Sequence, residues 1–448
     1  MSTVYSQFSE LKRRLEAREA TIATVGLGYV GLPLALAVAE AGFKALGVDI
    51  DARRVADLNA GKRVISYFPE NKIADAVASG RFSATSDFAR LAEADAILIC
   101  VPTPLDAARE PNMAYVQRAA QAIAKELRPG QLVVLESTTW PGATRNFVEP
   151  ILRTSGLERG KDFFLAFSPE REDPGNASYT TKTIPKIVGG DDPRSLELAQ
   201  ILYSSVVTKA VPVSSTATAE AVKLAENTFR NVNIALVNEM KQVFAGMGVD
   251  VWEVIEAAAT KPFGFMPFYP GPGIGGDCIP VSPVYLSWRA RDVGGEMPLV
   301  DLAVRINTGM PRAIRDRLGT ELAARGKSLA HARILLLGIA YKRDVEDSRE
   351  SPALELLALI EEAGGRCDYH DPCFPVFPKT RDHAALEGRR SVALDAEAVA
   401  SYDAVIVTTD HTKVDYALVA DKARLILDTR NVLTKLRLAP TDGRYLKA

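Results

Sequence analysis

Residues 21–31 read Thr-Ile-Ala-Thr-Val-Gly-Leu-Gly-Tyr-Val-Gly, and they decide the fold. TIATV (21–25) is an apolar run of strand length. Gly26, Gly28 and Gly31 follow as a G-x-G-x-x-G turn. LPLALAVAEA (32–41) then has helical composition and stops at Gly42, and KALGVDI (44–50) is a second strand with Asp49 at its end. Strand, glycine turn, helix and strand make a βαβ unit. Gly26 allows the tight turn, Gly28 lets a pyrophosphate approach the backbone, and Gly31 lets helix and strand pack closely. The helix N-terminus adds unpaired N–H groups and partial positive charge. Asp49 lies 23 residues after Gly26, where a carboxylate accepts from the adenosine ribose hydroxyls of NAD. Arg53 and Arg54 just downstream keep a phosphorylated cofactor open. A purely structural turn is the competing reading.

The alternation continues outward. ADAILIC (94–100) and QLVVLES (131–137) are short apolar runs without polar alternation, as expected of buried parallel strands. RILLLG (333–338), a helix SPALELLALIEEAG (351–364), GRCDYHD (365–371), YDAVIVTT (402–409) and RLILDT (424–429) repeat the pattern. Gly26 to Asp95 spans 69 positions and Gly338 to Asp403 spans 65. Between these ends, residues 216–247 carry no strand signal and read as one long helix or two joined ones. The fold class expected is α/β: two Rossmann-like doubly wound domains joined by a central all-helical dimerisation domain, with ligands at the strands' carboxyl ends. The boundaries expected are a helical extension (1–20) outside the main fold, a nucleotide-binding domain (21–212), a helical domain with a cysteine loop (213–325) and a C-terminal domain (326–448).

Composition agrees. The 448 residues suggest about three domains at ~150 residues each. With 54 Lys plus Arg against 56 Asp plus Glu, there is no overall field to attract nucleic acid or an anionic membrane. Four cysteines (100, 278, 367 and 373) are too few for a disulfide scaffold, which points to a reducing, cytoplasmic setting. Thr21 to Ala39 carries no charge and follows Lys12, Arg13 and Arg14, the profile of a membrane anchor. Its glycines and Pro33 favour strand–turn–helix instead.

Two clusters carry chemistry. Glu220, Lys223, Asn227 and Asn231 follow one another at steps of three, four and four, so they line one face of the long helix. From spacing alone that stripe reads either as a solvated surface or as a site. Residues 261–280, KPFGFMPFYPGPGIGGDCIP, place Cys278 among glycines that bare the backbone to a bulky substrate. A thiolate there can attack a carbonyl carbon, with ammonium and amide donors holding the oxyanion. A buried, inert thiol is the alternative.

These motifs together resemble the nucleotide-sugar 6-dehydrogenases, over about 20–435. The resemblance rests on GLGYVGLPLA, ICVPTPL, ESTTWPGAT, FSPERE with DPG, AEAVKLAENTFRNVNIALVNE, GPGIGGDCIP, GIAYKRDVEDSRESPALEL and DTRN. The KPFGFMPFYPGPG and SPER stretches look most like the UDP-N-acetylhexosamine branch. The resemblance implies NAD as cofactor, a UDP-sugar as partner, and oxidation of C6 to a carboxylate by two hydride transfers through a thiohemiacetal and a thioester on Cys278. It implies that Lys223 and Asn227 bind the oxyanion and a water, and that Thr138 and Glu170 organise water and proton transfer. Lys342 and Arg430 match substrate-binding positions, and Arg349 one that reaches the cofactor. The sets expected are Gly26, Gly28, Tyr29, Val30, Gly31, Asp49, Arg54, Thr103, Thr138 and Arg349 for cofactor, and Glu170, Arg171, Lys223, Asn227, Gly275, Lys342 and Arg430 for substrate.

The chain departs from that family in places. Ser282 stands where the family has an aspartate, four residues after the cysteine, and serine cannot act as a carboxylate base. Asp277 beside Cys278 tends to raise the thiol pKa by like-charge repulsion, or takes over the base role. Pro174 replaces a second glutamate of the UDP-glucose branch, with Glu172 nearby. No metal is expected. Cys367 and His370 should point apart along a strand, Cys100 reads as core, and His331, His383 and His411 lack partners in sequence. A UDP- or dTDP-glucose 6-dehydrogenase, a hydroxyacid dehydrogenase needing no thiol, and a nucleotide-sugar-binding regulatory protein remain the alternatives. Apolar residues on several faces of the long helix predict a homodimer through it.

Overall fold

The computed structural model describes residues 2–65, 68–171, 179–380 and 383–448; Glu172 and Pro174 lie outside them. The chain divides into two compact units, 1–226 with 284–295, and 227–283 with 296–448.

The first unit is built on an eight-stranded sheet: β1 (Thr21–Val25), β2 (Lys44–Val48), β3 (Phe82–Thr85), β4 (Ala96–Ile99), β5 (Leu132–Leu135), β6 (Phe164–Phe167), β7 (Lys186–Gly190) and β8 (Ala210–Val213). Their order is β3-β2-β1-β4-β5-β6-β7-β8. Every pairing is parallel except β6 with β7. The strands β4, β5 and β6 are buried along their whole length, which is why they read as continuous apolar runs. The uncharged stretch 21–39 is β1, the turn and most of the Gly31–Glu40 helix. Among the described residues no helix is long and apolar enough to cross a membrane.

One expectation is corrected. The N-terminal helix forms, at Ser2–Glu16, but it is not outside the main fold. Leu11 and Leu15 are buried in the same apolar cluster as the β-sheet, and the Phe8 ring meets Phe164 of β6 edge-on. The helix packs on the Pro193–Val206 helix, where Lys12 also donates to Glu197 at 2.6 Å.

The second unit holds β9 (Arg333–Leu337), β10 (Arg366–His370), β11 (Ala404–Val407), β12 (Ile426–Asp428) and β13 (Tyr445–Lys447) in the order β10-β9-β11-β12-β13, all parallel. Both sheets are therefore doubly wound, as the alternation implies. They also start by the same device. Asp95 accepts the N–H of Thr21 at 2.8 Å, and Asp403 accepts that of Arg333 at 2.7 Å, each tying the first residue of a central strand to its neighbour. Gly26 and Gly338 follow those strands with φ of 93° and 89°. Asp49 and Asp371, past the ends of β2 and β10, accept the N–H of Leu27 and Ile339. The long helix is one element, Thr216–Gly246, and contributes to both units.

Candidate functional site

In the first unit, the glycine turn fits a dinucleotide. A Cβ on Gly26 would come within 2.6 Å of the Cys100 carbonyl oxygen, and one on Gly31 within 1.8 Å of the Gly26 carbonyl oxygen. A Cβ on Gly28 would meet nothing within 4 Å. Two glycines are thus demanded by packing and the third leaves open space over the backbone, as approach of a pyrophosphate requires. Asp49 does more than wait for a ribose: its carboxylate accepts from Leu27 N and Asp51 N and lies 3.6 Å from Arg54. Tyr29 and Val30 pack partly buried against the core. The Thr103 carbonyl accepts from Tyr285 OH, and Thr138 sits half-buried just past β5.

The polar stripe is buried, not solvated. Glu220 accepts from Thr144 N (2.8 Å), Thr144 Oγ1 (2.6 Å) and Gly142 N, so it anchors the turn of ESTTWPGAT. Lys223 and Glu170 are 5% and 7% exposed. The Lys223 ammonium donates to the Glu170 carbonyl at 2.6 Å and reaches its carboxylate at 3.1 Å. Arg171 pairs with Glu226 and donates to the Pro185 carbonyl. Behind them lies a network absent from the sequence reading. Lys186, at the start of β7, donates to Glu136 (2.6 Å) and to the Pro169 carbonyl (3.1 Å), and Tyr203 OH donates to Glu136. Burial pushes the Glu136 carboxyl up, against the pull of the Lys186 ammonium. The two carbonyls of Pro169 and Glu170 are each held by a lysine, which fixes that peptide.

In the second unit, Asn227 and Asn231 are buried, and Asn227 donates through Nδ2 to Ser282 Oγ at 2.9 Å. Cys278 is half-buried and in no disulfide. The glycines before it are explained by the chain itself more than by room for substrate. A Cβ on Gly275 would lie 2.5 Å from Tyr341 Cβ and 2.8 Å from the Glu350 carbonyl oxygen, and Gly276 packs on the Tyr341 ring. Gly276 N donates to the Arg349 carbonyl at 2.9 Å. The loop is therefore laid against the YKRDVEDSRESP segment. Asp277 forms an ion pair with Arg349, which also pairs with Asp347, so the acid beside the thiol has a resident counter-charge. Lys342 is half-buried in that segment. Arg430 donates from Nε to the Thr408 carbonyl at 2.9 Å and lies against Gly271. Burial lowers its pKa to about 10, against the pull of Asp428.

The reading of His411 is corrected. It has partners: its Nε2 faces Asp371 at 3.1 Å, and its Nδ1 takes the Asp344 N–H at 3.0 Å, with Cys373 Sγ at 3.8 Å. Asp371 and His411 follow β10 and β11, which flank β9, so the fold brings them together across 40 positions of sequence. Both ring nitrogens are engaged, and Asp371, Cys373 and His411 bring one ligand-type atom each to within 4.8 Å of one another at the strand ends. Cys367 is buried in the core, away from these groups.

The chain matches one family in three successive stretches: the UDP-glucose/GDP-mannose dehydrogenase family's NAD binding domain over 20–207, its central domain over 217–309 and its UDP binding domain over 335–435. It is 36% identical to UDP-N-acetyl-D-glucosamine 6-dehydrogenase of Pseudomonas aeruginosa, over 79% of this chain and 83% of that one. It is 33% identical to UDP-N-acetyl-D-mannosamine dehydrogenase of Pyrococcus horikoshii, over 92% and 96%. A solved structure of UDP-D-ManNAc dehydrogenase from Pyrococcus horikoshii superposes with a TM-score of 0.84 at 32% identity, covering 95% of this chain and 98% of that one.

Proposed function

This chain belongs to the UDP-glucose/GDP-mannose dehydrogenase family and is an NAD-dependent UDP-sugar dehydrogenase; from that premise we propose that it oxidises the C6 hydroxyl of a UDP-N-acetylhexosamine to the carboxylate. The observation that carries the choice of sugar is that relatives matched over most of their length, at 33% and 36% identity, are named for UDP-N-acetylhexosamines.

NAD, held by the Gly26–Gly31 turn with Asp49, supplies the hydride acceptor for both oxidations. The chain's own residues do the rest. Lys223 Nζ and Asn227 Nδ2, one turn apart on the same helix, donate to the oxygen that becomes anionic. Glu170 Oε2, 3.1 Å from Lys223, holds and passes the proton, and Thr138 orients water. Cys278 Sγ adds to the aldehyde carbon and keeps it bound between the oxidations, because a free aldehyde could diffuse away. Water then releases the acid. Lys342 and Arg430 hold the nucleotide sugar, and Arg349 is assigned to the cofactor by its match to the family motif. Domain boundaries at 21–212, 213–325 and 326–448 go with this assignment.

We also propose a homodimer. Phe229, Leu236 and Val243 recur every seven residues on the central helix and are each about half exposed (50%, 51% and 49%). A self-complementary apolar stripe of that kind suits an isologous interface. Sedimentation at micromolar concentration should show a dimer, and L236E should shift it to monomer.

NADH formed per sugar consumed tests the main reading. Two NADH per UDP-N-acetylhexosamine is the expected result. Turnover of UDP-glucose or dTDP-glucose alone would move the assignment to those sugars, and tight binding of every sugar without NADH would move it to a regulatory protein.

A further inference from the structure

Lys241 is a buried cation without a counter-charge. It is 8% exposed, and among the described residues no carboxylate or carbonyl accepts from its ammonium. It lies on the central helix three residues beyond Asn238. Asn238 Oδ1 accepts the N–H of Gly271 at 3.0 Å, and its Nδ2 donates to Asn307 Oδ1 at 3.0 Å. A Cβ on Gly271 would come within 3.0 Å of Arg430 Nη1, so the guanidinium is seated directly against that loop. Lys241, Asn238, Gly271 and Arg430 thus follow one another through the second unit as helix, helix, loop and strand end. Burial and the repulsion of Arg430 lower the Lys241 pKa to about 8.

Buried lysines are ordinarily paired, and an unpaired one is destabilising. A second cation pressing on the first compounds the cost. Both facts are accounted for when an anion with at least two negative oxygens belongs there.

We propose that Lys241, with Arg430 across the Gly271–Pro272–Gly273 loop, binds the diphosphate of the nucleotide sugar. The inference rests on the UDP-sugar reading and deepens it, since it gives Lys241 the task of telling a nucleoside diphosphate from its nucleoside. The glycine at 271 keeps the loop low enough for the guanidinium to reach past it.

Calorimetric titration of the full-length protein with UDP, UMP, uridine and NAD tests this, in wild type, K241M and K241R. UDP affinity should fall roughly 10- to 100-fold in K241M, the loss expected for a charge-assisted hydrogen bond. Uridine and NAD should bind as before, and K241R should keep most of the UDP affinity. Apo K241M should melt no lower than wild type, because it removes an unpaired buried charge. UDP binding K241M as tightly as wild type would overturn the role of Lys241 alone. A K241M protein that binds UDP normally but sediments as monomer would assign the charge to a subunit contact instead. Wild type that fails to bind UDP at all would remove the UDP-sugar reading with it.

Discussion

Asn227 Nδ2 donates to Ser282 Oγ at 2.9 Å, with both side chains buried. Ser282 opens the Ser282–Asp292 helix directly after the cysteine loop, and its backbone N–H returns to the Cys278 carbonyl at 3.0 Å. Ser282 thus supplies a neutral hydroxyl where the family resemblance puts a carboxylate, and it holds the amide that we propose faces the oxyanion. If release of the acid limits turnover, S282D should raise the steady-state rate by up to about 100-fold, the low end of what a placed general base contributes. The initial burst of two NADH per site should not change. S282A, by leaving the buried amide without its acceptor, should cost about 1–3 kcal/mol and lower the rate. Quenched-flow measurement of burst and steady state separates these steps. A slower steady state in S282D would show that serine is the better residue here.

The glycine turn offers a clean contrast. G28A adds a methyl where nothing lies within 4 Å, whereas G31A drives one to 1.8 Å from the Gly26 carbonyl oxygen. G28A should melt like wild type and bind NAD at least tenfold more weakly, because the methyl occupies the approach to the backbone. G31A should lose folding stability outright. Thermal melts with and without NAD check both, and a G28A protein with normal NAD affinity would place the pyrophosphate elsewhere.

Much of this was legible in the sequence, for reasons that can be named. The strands β4, β5, β9 and β11 are buried on both faces, so their apolar runs are unbroken and announce themselves. The parallel between Asp95 and Asp403 is visible as spacing because each does the same work on a central strand. What escaped reading depends on partners distant in sequence. The spacing of Leu11 and Leu15 specifies an amphipathic helix but not the core it joins. The glycines around Cys278 say that the backbone is bare; only the fold says that Tyr341 and Pro352 occupy the space. His411 meets Asp371 because β10 and β11 flank β9, and Lys186 meets Glu136 across the sheet, 50 positions away. The helical stripe ending at Asn231 continues through Asn238 to Lys241.

The Asp277–Arg349 pair makes a prediction about the thiol. Asp277 repels a thiolate, and Arg349 offsets that repulsion. D277N should lower the apparent pKa of Cys278 alkylation, since the cation would then act unopposed, and R349Q should raise it. A pH series of iodoacetamide inactivation rates reads both. The pair is about 40% exposed on each side, so the shifts should shrink in high salt. An apparent pKa unmoved in D277N would mean that the Asp277 carboxylate does not act on the thiol, and would overturn this reading.

Lys241 fixes a stability profile in the absence of nucleotide. Its pKa falls from 10.5 to about 8 in the folded protein, first through burial and then through Arg430. Between those values the unfolded chain binds the proton more tightly than the folded one, so stability rises with pH across the window and is lost as pH falls toward 8. The full effect is about 3 kcal/mol, since each pKa unit corresponds to ~1.4 kcal/mol. Other groups titrate in the same range, and the wild-type minus K241M difference in urea midpoint isolates this one. That difference should be small near pH 10.5, should grow against wild type as pH falls to 8, and should then level off. Saturating UDP supplies the missing negative charge, so the same comparison made with nucleotide bound should flatten or change sign; a difference that keeps its slope with UDP present would mean that the ammonium does not meet the phosphates.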